Sequence, residues 1–366
     1  MRDVVVVGGD ILTPLGDGQS TWQALLAGKT GISLQKFGSL EGEWPLGFIP
    51  DLAGEPGSLQ RQNDMFKRLL ASLPQLSPAT QLFCATTKAA TDEFLLRSGR
   101  EEGQPWQVAE ELAQRLGIKA GTTVSAACVS GLIAVIQGAM RIKAGECDHA
   151  LIIGFDLLSQ FVLSGFSSLK ALSATAARPF AKDRDGLSLG DGAGWILLSA
   201  AEVAEPSSVL ATLGPWSISC DANHITAPSR YATGLIAALE QIKAEAGDIG
   251  GINAHGTATV YNDAMELLAF SKVFAPGMPV CSVKGALGHS LAASGIVETV
   301  LSLYSLRDMI LPPTVGLEVP AETDCQLSGS EALALGHPSI ITCNSGFGGI
   351  NAALLLKNAS NRPEKQ

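Results

Sequence analysis

The chain has 366 residues, 46% of them hydrophobic and only 16% charged, with 40 glycines. This composition belongs to a well-buried globular protein with many tight turns and excludes a disordered chain. The length exceeds the roughly 250–300 residues at which a single core stops growing, so one large domain or two fused halves is implied. The formal net charge of −10 argues against nucleic acid as a partner, since binding it relies on basic surface to neutralise phosphates.

Taken in chain order, residues 4–7 are a short valine run closed by Gly8-Gly9 and read as a buried central strand. Thr13-Pro14-Leu15-Gly16 turns the chain, and residues 22–26 read as helix. Residues 35–63, rich in Gly, Pro and polar groups, read as irregular surface. Residues 78–96 read as a helix with Ser77 as N-cap and Pro78 in its first turn. The clearest strand–helix–strand unit follows, with a strand at 122–125, a helix at 130–143 and a strand at 150–155. That helix is apolar on nearly all sides, hence buried, and Gly145 stops it. Residues 188–199 carry Gly190-Asp191-Gly192-Ala193-Gly194 before Trp195, a glycine turn entering a strand, with Asp191 as the turn former.

The second half echoes the first. A strand ends at His255, a helix covers 262–273, a strand 280–283 and a long apolar helix 289–306. A strand at 340–344, a glycine loop at 345–349 and a strand at 352–357 repeat the pattern of 188–199. The fold class is α/β, a pseudo-duplication of βαβ halves joined near residues 200–210, with a loose polar tail at 358–366. No run of about 18 apolar residues occurs, and Met1 leads straight into a strand, so membrane insertion is not expected and a cytoplasmic location is.

Seven cysteines, an odd number with no CxxC pair and no metal-ligand spacing, predict neither a disulfide framework nor a zinc site. Cys128 stands apart. It lies where an apolar strand breaks into a helix among Ser125, Ala126, Ala127, Ser130 and Gly131, small residues that let a substrate reach the sulfur. A helix start lowers a thiol's pKa, and the thiolate is the nucleophile. His255 sits at a strand end, where ligands bind in α/β sheets. His289 follows Gly288 at the expected start of a helix, whose dipole keeps an imidazole neutral and able to donate a hydrogen bond to an enolate. Lys284 can hold a histidine or carboxylate. The loop from Ser345 to Asn351 exposes backbone N–H groups suited to half an oxyanion hole, and it lacks the helix and lysine of a phosphate-binding loop. Each of these residues alone is equally explained by packing, capping or a turn.

Together the segments resemble the β-ketoacyl-acyl carrier protein synthases of the thiolase superfamily over nearly the whole chain. The resemblance rests on the opening Val-Val-Val-Val-Gly-Gly-Asp-Ile-Leu-Thr-Pro-Leu-Gly, on Ser-Ala-Ala-Cys128-Val-Ser-Gly and on the long run from Arg178 to Gly194. His255-Gly-Thr-Ala-Thr with Asp263 and Glu266, and Lys284 with Gly288-His289 and Glu298, complete it. It implies a thiolase-like fold in αβαβα layers, with residues 1–205 carrying the nucleophile and 206–366 the histidines. It implies that Cys128 takes an acyl group from a carrier thioester, and that His255 and His289 bind the malonyl thioester carbonyl, aid decarboxylation and stabilise the enolate. Lys284 and Glu266, with Asp263 and Glu298, support the histidines. Thr257 and Thr259 bind the phosphopantetheine arm. The N–H groups of Cys128 and Phe347 form the oxyanion hole, Phe347 also being the gate. The only prosthetic chemistry implied is the arm of an acyl carrier protein, docking on Lys67, Arg68, Lys170 and Arg178, with no metal or redox cofactor. A dimer is implied, either a homodimer or a heterodimer with a second ketosynthase-like subunit.

Two departures stand out. The family loop Asn-Ser-Phe-Gly-Phe-Gly-Gly-Thr-Asn is one residue shorter here and has Ile350 for threonine, so the gate differs. The stretch between Arg97 and Gly121 is short, trimming a wall of the acyl pocket. The run His255-Gly-Thr-Ala-Thr-Val-Tyr-Asn-Asp-Ala-Met-Glu is closer to ketosynthases of specialised pathways such as aryl polyene synthesis. Two alternatives remain. A chain-length-setting subunit usually loses the nucleophile that is kept here. A thiolase or coenzyme A-primed enzyme replaces one histidine with cysteine or asparagine, and Cys343 precedes the loop in a strand.

Overall fold

The computed structural model describes residues 2–93, 95 and 104–359. One mixed sheet of 12 strands runs through the molecule, and its order contains the same arrangement twice. In the first set, Val4–Thr13 lies antiparallel to Gly192–Ala200, which is antiparallel to His149–Asp156. Gln81–Ala85 and Lys119–Val124 then follow in parallel. In the second set, Ala211–Cys220 lies antiparallel to Ile350–Asn358, which is antiparallel to Ser339–Gly346. Gly251–Asn253 and Pro279–Cys281 then follow in parallel. The sets meet where Val5 pairs Thr212 and Val6 pairs Ala211.

Two helices, Ser130–Lys143 and Ser294–Asp308, touch strands of both sets and each other, and so form the middle layer. Burial of most of their surface, with Met140 and Arg141 exposed near the end of the first, explains why the helices read as apolar on nearly all sides. They cross at glycines. A Cβ on Gly131 would stand 2.4 Å from the Ala292 carbonyl oxygen, and one on Gly295 would stand 2.4 Å from the Leu132 nitrogen. Leu59–Leu70 and Pro105–Leu116 cover the outer face of the first set, and Thr233–Ala246 with Val260–Val273 covers that of the second. This is the αβαβα layering, with helices shielding both faces of the parallel strands.

Four readings of the sequence are corrected. Residues 78–96 do not form one helix. Leu82, Phe83, Cys84 and Ala85 are all buried in the parallel strand Gln81–Ala85, and burial on both faces overrides helix propensity. Ser77 accepts the Thr80 N–H in a turn instead of capping a helix; residues 94 and 96 lie outside the described set. Residues 35–63 are ordered structure. A hairpin, Ile32–Phe37 with Leu40–Gly47, turns at Gly38 (φ +54°), and Ser58 caps Leu59–Leu70 by accepting the Arg61 N–H. Asp191 is no turn former. Its carboxylate is buried, pairs with Arg61 at 2.7 Å and accepts the N–H groups of Ile49 and Leu158. The long apolar helix begins at Ser294, not His289. The tail beyond residue 359 lies outside the described residues, as do residues 97–103, the first part of the stretch read as trimmed.

Candidate active site

The strand Lys119–Val124 feeds the elbow that carries Cys128. Ala127 has φ +49°, a strained conformation for a residue with a side chain. Ser130 holds it: its hydroxyl accepts the Ala126 N–H (2.7 Å) and donates to the Ala127 carbonyl (2.6 Å). The helix Ser130–Lys143 starts immediately beyond. The expected lowering of the thiol pKa does not result, because burial outweighs the helix terminus and Lys284 and pushes the thiol up to about 12. Cys128 rests as a thiol.

Opposite stand the two histidines, their rings edge to face with centroids 5.2 Å apart. The Cys128 sulfur and a ring nitrogen of each imidazole lie within 4.8 Å of one another. Both imidazoles titrate well below the ordinary value, chiefly through burial and then Lys284. His289 is thus neutral, but burial keeps it so, since the helix starts five residues later.

Hydrogen bonds fix the tautomer of His255. Its Nδ1 faces two donors at 3.2 Å, the Lys284 ammonium and the Asn344 amide. Nδ1 must therefore accept, and the proton sits on Nε2. Lys284 also donates to the His255 carbonyl (2.6 Å) and pairs with Glu298, whose other oxygen accepts from Asn344 (2.6 Å). All four residues are buried. His289 Nδ1 lies 3.0 Å from the Ser294 hydroxyl, and its Nε2 is buried with no partner. A donor set of Cys and two His at this spacing suits a metal in outline. With Nε2 of His255 carrying hydrogen, however, the set is one of hydrogen-bond donors beside a sulfur, and its chemistry does not fit a three-ligand metal site.

The remaining predicted residues divide. Glu266 does not touch Lys284. Its oxygens accept the N–H groups of His255 (2.8 Å) and Gly256 (2.7 Å) and the Asn262 amide (2.8 Å), so it positions the loop backbone. Asp263 accepts from Ala258 and Phe180 in the same way. The hydroxyls of Thr257 and Thr259 lie 2.9 Å apart and line, with Cys128 and both histidines, a cleft of about 370 Å³. Phe347 lines it too and packs on Phe166 with centroids 5.7 Å apart. Gly346 brings the loop onto the elbow: a Cβ there would stand 3.3 Å from the Cys128 nitrogen. Lys170 lines the cleft, whereas Lys67, Arg68 and Arg178 do not. Arg68 is bonded to the Pro50 and Asp51 carbonyls, and Arg178 to Asp183 at 2.6 Å. Asn344, Ser294 and Asn262 were missed. Asn344 is the polar end of an apolar strand and the first residue of the loop pattern, which marked it; Ser294 and Asn262 carry no comparable mark.

Residues 79–204 match the β-ketoacyl synthase N-terminal domain and residues 210–318 match the C-terminal domain. The chain belongs to the β-ketoacyl synthase family. It is 30% identical to the 3-oxoacyl-[acyl-carrier-protein] synthase 2 of Vibrio cholerae, over 97% of this chain and 99% of that one. Against the Coxiella burnetii protein of the same description the identity is 29%, over 97% and 98%. A chain of the solved complex of the ketosynthase ApeO with its chain length factor ApeC from Xenorhabdus doucetiae superposes with a TM-score of 0.82 at 26% identity, covering 98% of both chains. A β-ketoacyl synthase from Burkholderia phymatum gives 0.83 at 25%, over 98% and 100%. The thiolase-like fold implied by the motifs is therefore the fold of this family member.

Proposed function

We propose that the chain is a β-ketoacyl-acyl carrier protein synthase, condensing an acyl group held on Cys128 with a malonyl thioester. The observation that carries this is the locked tautomer of His255, which aims an N–H at the space beside the Cys128 sulfur. In the first step the sulfur attacks the acyl thioester, the carrier thiol leaves, and the Cys128 proton ends on that thiol. The backbone N–H groups of Cys128 and Phe347 stabilise the oxyanion. Next, the malonyl thioester loses CO2, and the resulting enolate oxygen takes hydrogen bonds from Nε2–H of His255 and of His289, the latter with its Nδ1 accepting from Ser294. Neutral donors in a dry site stabilise the enolate without protonating its carbon. The carbanion then attacks the acyl thioester, forming the new C–C bond and expelling the Cys128 thiolate. The expelled thiolate takes one proton from solvent as the product leaves the cleft, a recapture that burial favours by holding the thiol up at about 12, and the enzyme is reset.

Thr257 and Thr259 hold the pantetheine arm, and Lys170 meets the acyl carrier protein at the mouth of the cleft. Lys67 and Arg178 are weaker docking candidates, and Arg68 is the weakest because its own chain occupies it. The arm of the carrier is the only prosthetic group invoked. Among the described residues no helix is long and apolar enough to cross a membrane, and we place the enzyme in the cytoplasm. Two structural relatives are complexes of a ketosynthase with a chain length factor, which supports pairing with a ketosynthase-like subunit; native mass distinguishes homodimer from heterodimer. The retained thiol and donor pair disfavour a chain-length-setting role for this chain. The test is intact-protein mass after mixing with acyl-carrier proteins. An adduct on the wild type, absent from Cys128→Ala and discharged by malonyl-carrier protein to a β-ketoacyl product, is the expected result. A Cys128→Ala protein that still forms product overturns the assignment.

A further inference from the structure

Resting on that function, the side chains behind Cys128 indicate which acyl groups it holds. The sulfur belongs to a hydrophobic cluster with Phe37, Leu46, Leu158, Leu163, Leu187 and Leu189, all at most 7% exposed. Trp44, Phe48 and Phe166 pack against the same cluster. Phe37, Trp44 and Leu46 of this wall come from the hairpin over residues 32–47, and Leu163 and Phe166 from the helix Gln160–Ser168, in which Leu163 is the one buried side chain. The open space beside the sulfur is the cleft already assigned to the pantetheine arm. A long acyl chain therefore has to displace a close-packed wall, and inserting methylenes into such packing forces side chains off their rotamers and is unfavourable.

The wall is also anchored. The first turn of Gln160–Ser168 donates its N–H groups to buried acceptors: Gln160 and Phe161 to Asp92 (2.6 and 3.1 Å), and Val162 to the Ser159 hydroxyl (3.2 Å). Just before it, Leu158 donates to Asp191 (2.6 Å), itself paired with Arg61. Asp92 and Asp191 are 2% and 1% exposed. Sliding this helix outward would take two N–H donors from the buried Asp92 carboxylate and pull Leu158 from Asp191, a cost that a dry site makes large. From the far end, Ser39 of the hairpin turn accepts a hydrogen bond from the Gln160 amide.

We propose that the enzyme is selective for compact acyl groups of a few carbons, with Leu163, fixed by the Asp92 and Asp191 anchors, as the stop that sets the limit. The experiment measures the rate of Cys128 acylation, by intact mass, from carrier proteins loaded with saturated chains of two to twelve carbons. Wild type should acylate with the two- and four-carbon chains at least about tenfold faster than with eight carbons or more, a difference of about 1.4 kcal/mol. Leu163→Ala should erase that preference by raising the long-chain rate, while the two-carbon rate stays within about threefold. Leu163→Met, which keeps the volume, should behave as wild type and controls for folding. Equal wild-type rates across the series overturn the proposal, as does an unchanged preference in a folded Leu163→Ala. Absence of any adduct, even from the two-carbon carrier, is a different result and counts against the ketosynthase reading itself.

Discussion

The two strand-to-helix junctions of the pseudo-duplicated sheet occupy equivalent places and are built in opposite ways. From Lys119–Val124 the chain reaches its central helix through a short elbow of small residues, strained at Ala127 and stapled by the Ser130 hydroxyl. From Pro279–Cys281 it takes a longer path, through the turn Lys284–Leu287 and a 3-10 turn, before Ser294–Asp308 begins. The first junction presents one polarisable atom and no ionic partner in the elbow. The second spends its extra length on Lys284 and His289, held against Glu298 and Ser294. One side supplies the nucleophile and the other supplies neutral donors, so each can be damaged separately.

The largest expected effect separates the two sides. His289→Ala removes one enolate donor and should lower the condensation rate by about 100–1000-fold. Acylation of Cys128 should stay within about tenfold of wild type, because the elbow is untouched. Single-turnover assays of the two half-reactions check this; equal losses in both would show that the junctions do not divide the chemistry.

A second expectation concerns pH and again falls on the histidine side. Burial raises Glu266 to about 8, so the folded state holds its proton more tightly than the unfolded chain. The stability from this group is complete below the ordinary carboxylate range and is lost as pH rises through about 8. His255 and His289 act in the opposite sense. Their folded values are depressed, so their contribution is present above the ordinary imidazole value near 6.5 and is lost as pH falls below it. Stability should therefore peak near neutrality and drop on both sides, by an amount on the order of a few kcal/mol. Denaturant melts at about pH 5, 7 and 8.5 test it, and a monotonic trend would contradict it.

What the sequence disclosed follows the same division. The elbow was legible only in company, since Cys128 among small residues reads alone as a packed core cysteine, whereas the helix at 130–143 was read with its observed bounds. The histidines were legible as chemistry, yet the residues that make them donors were only partly so. Asn344 reaches His255 through a hydrogen bond across the fold, 89 positions away, and Ser294 meets His289 only five residues on, at a spacing that is common in helical sequence and carries no mark; Glu266 supports His255 through the loop backbone. Local pattern failed most where burial was two-sided. The strand Gln81–Ala85 has no alternation to betray it, and the Asp191–Arg61 pair joins residues 130 positions apart. The depressed thiol was a local inference from the helix start, and the surrounding core reversed it.

On the nucleophile side, Ser130→Ala should cost about 1–2 kcal/mol in stability, because it frees the Ala126 N–H and the Ala127 carbonyl at a strained position. It should also slow acylation more than condensation from a preloaded enzyme. If the melting temperature falls while both half-reactions slow equally, the staple supports the fold as a whole and not the elbow.

The smallest effect tests the place where the two sides touch. The glycine loop comes from the second set of strands, yet Gly346 lies against the elbow of the first. A methyl added there would stand 2.8 Å from Val129 Cγ2 and 3.3 Å from the Cys128 nitrogen. It would thus crowd the N–H that an oxyanion needs, without altering a donor, a charge or the sulfur. Both half-reactions pass through an oxyanion at that N–H, so Gly346→Ala should slow acylation and condensation together, by about tenfold, or about 1.4 kcal/mol in barrier. This common loss is the converse of the split expected for His289→Ala, and the pair of variants measured side by side distinguishes a shared oxyanion site from a donor used in one step alone. A Gly346→Ala enzyme impaired only in condensation would place the shared site elsewhere.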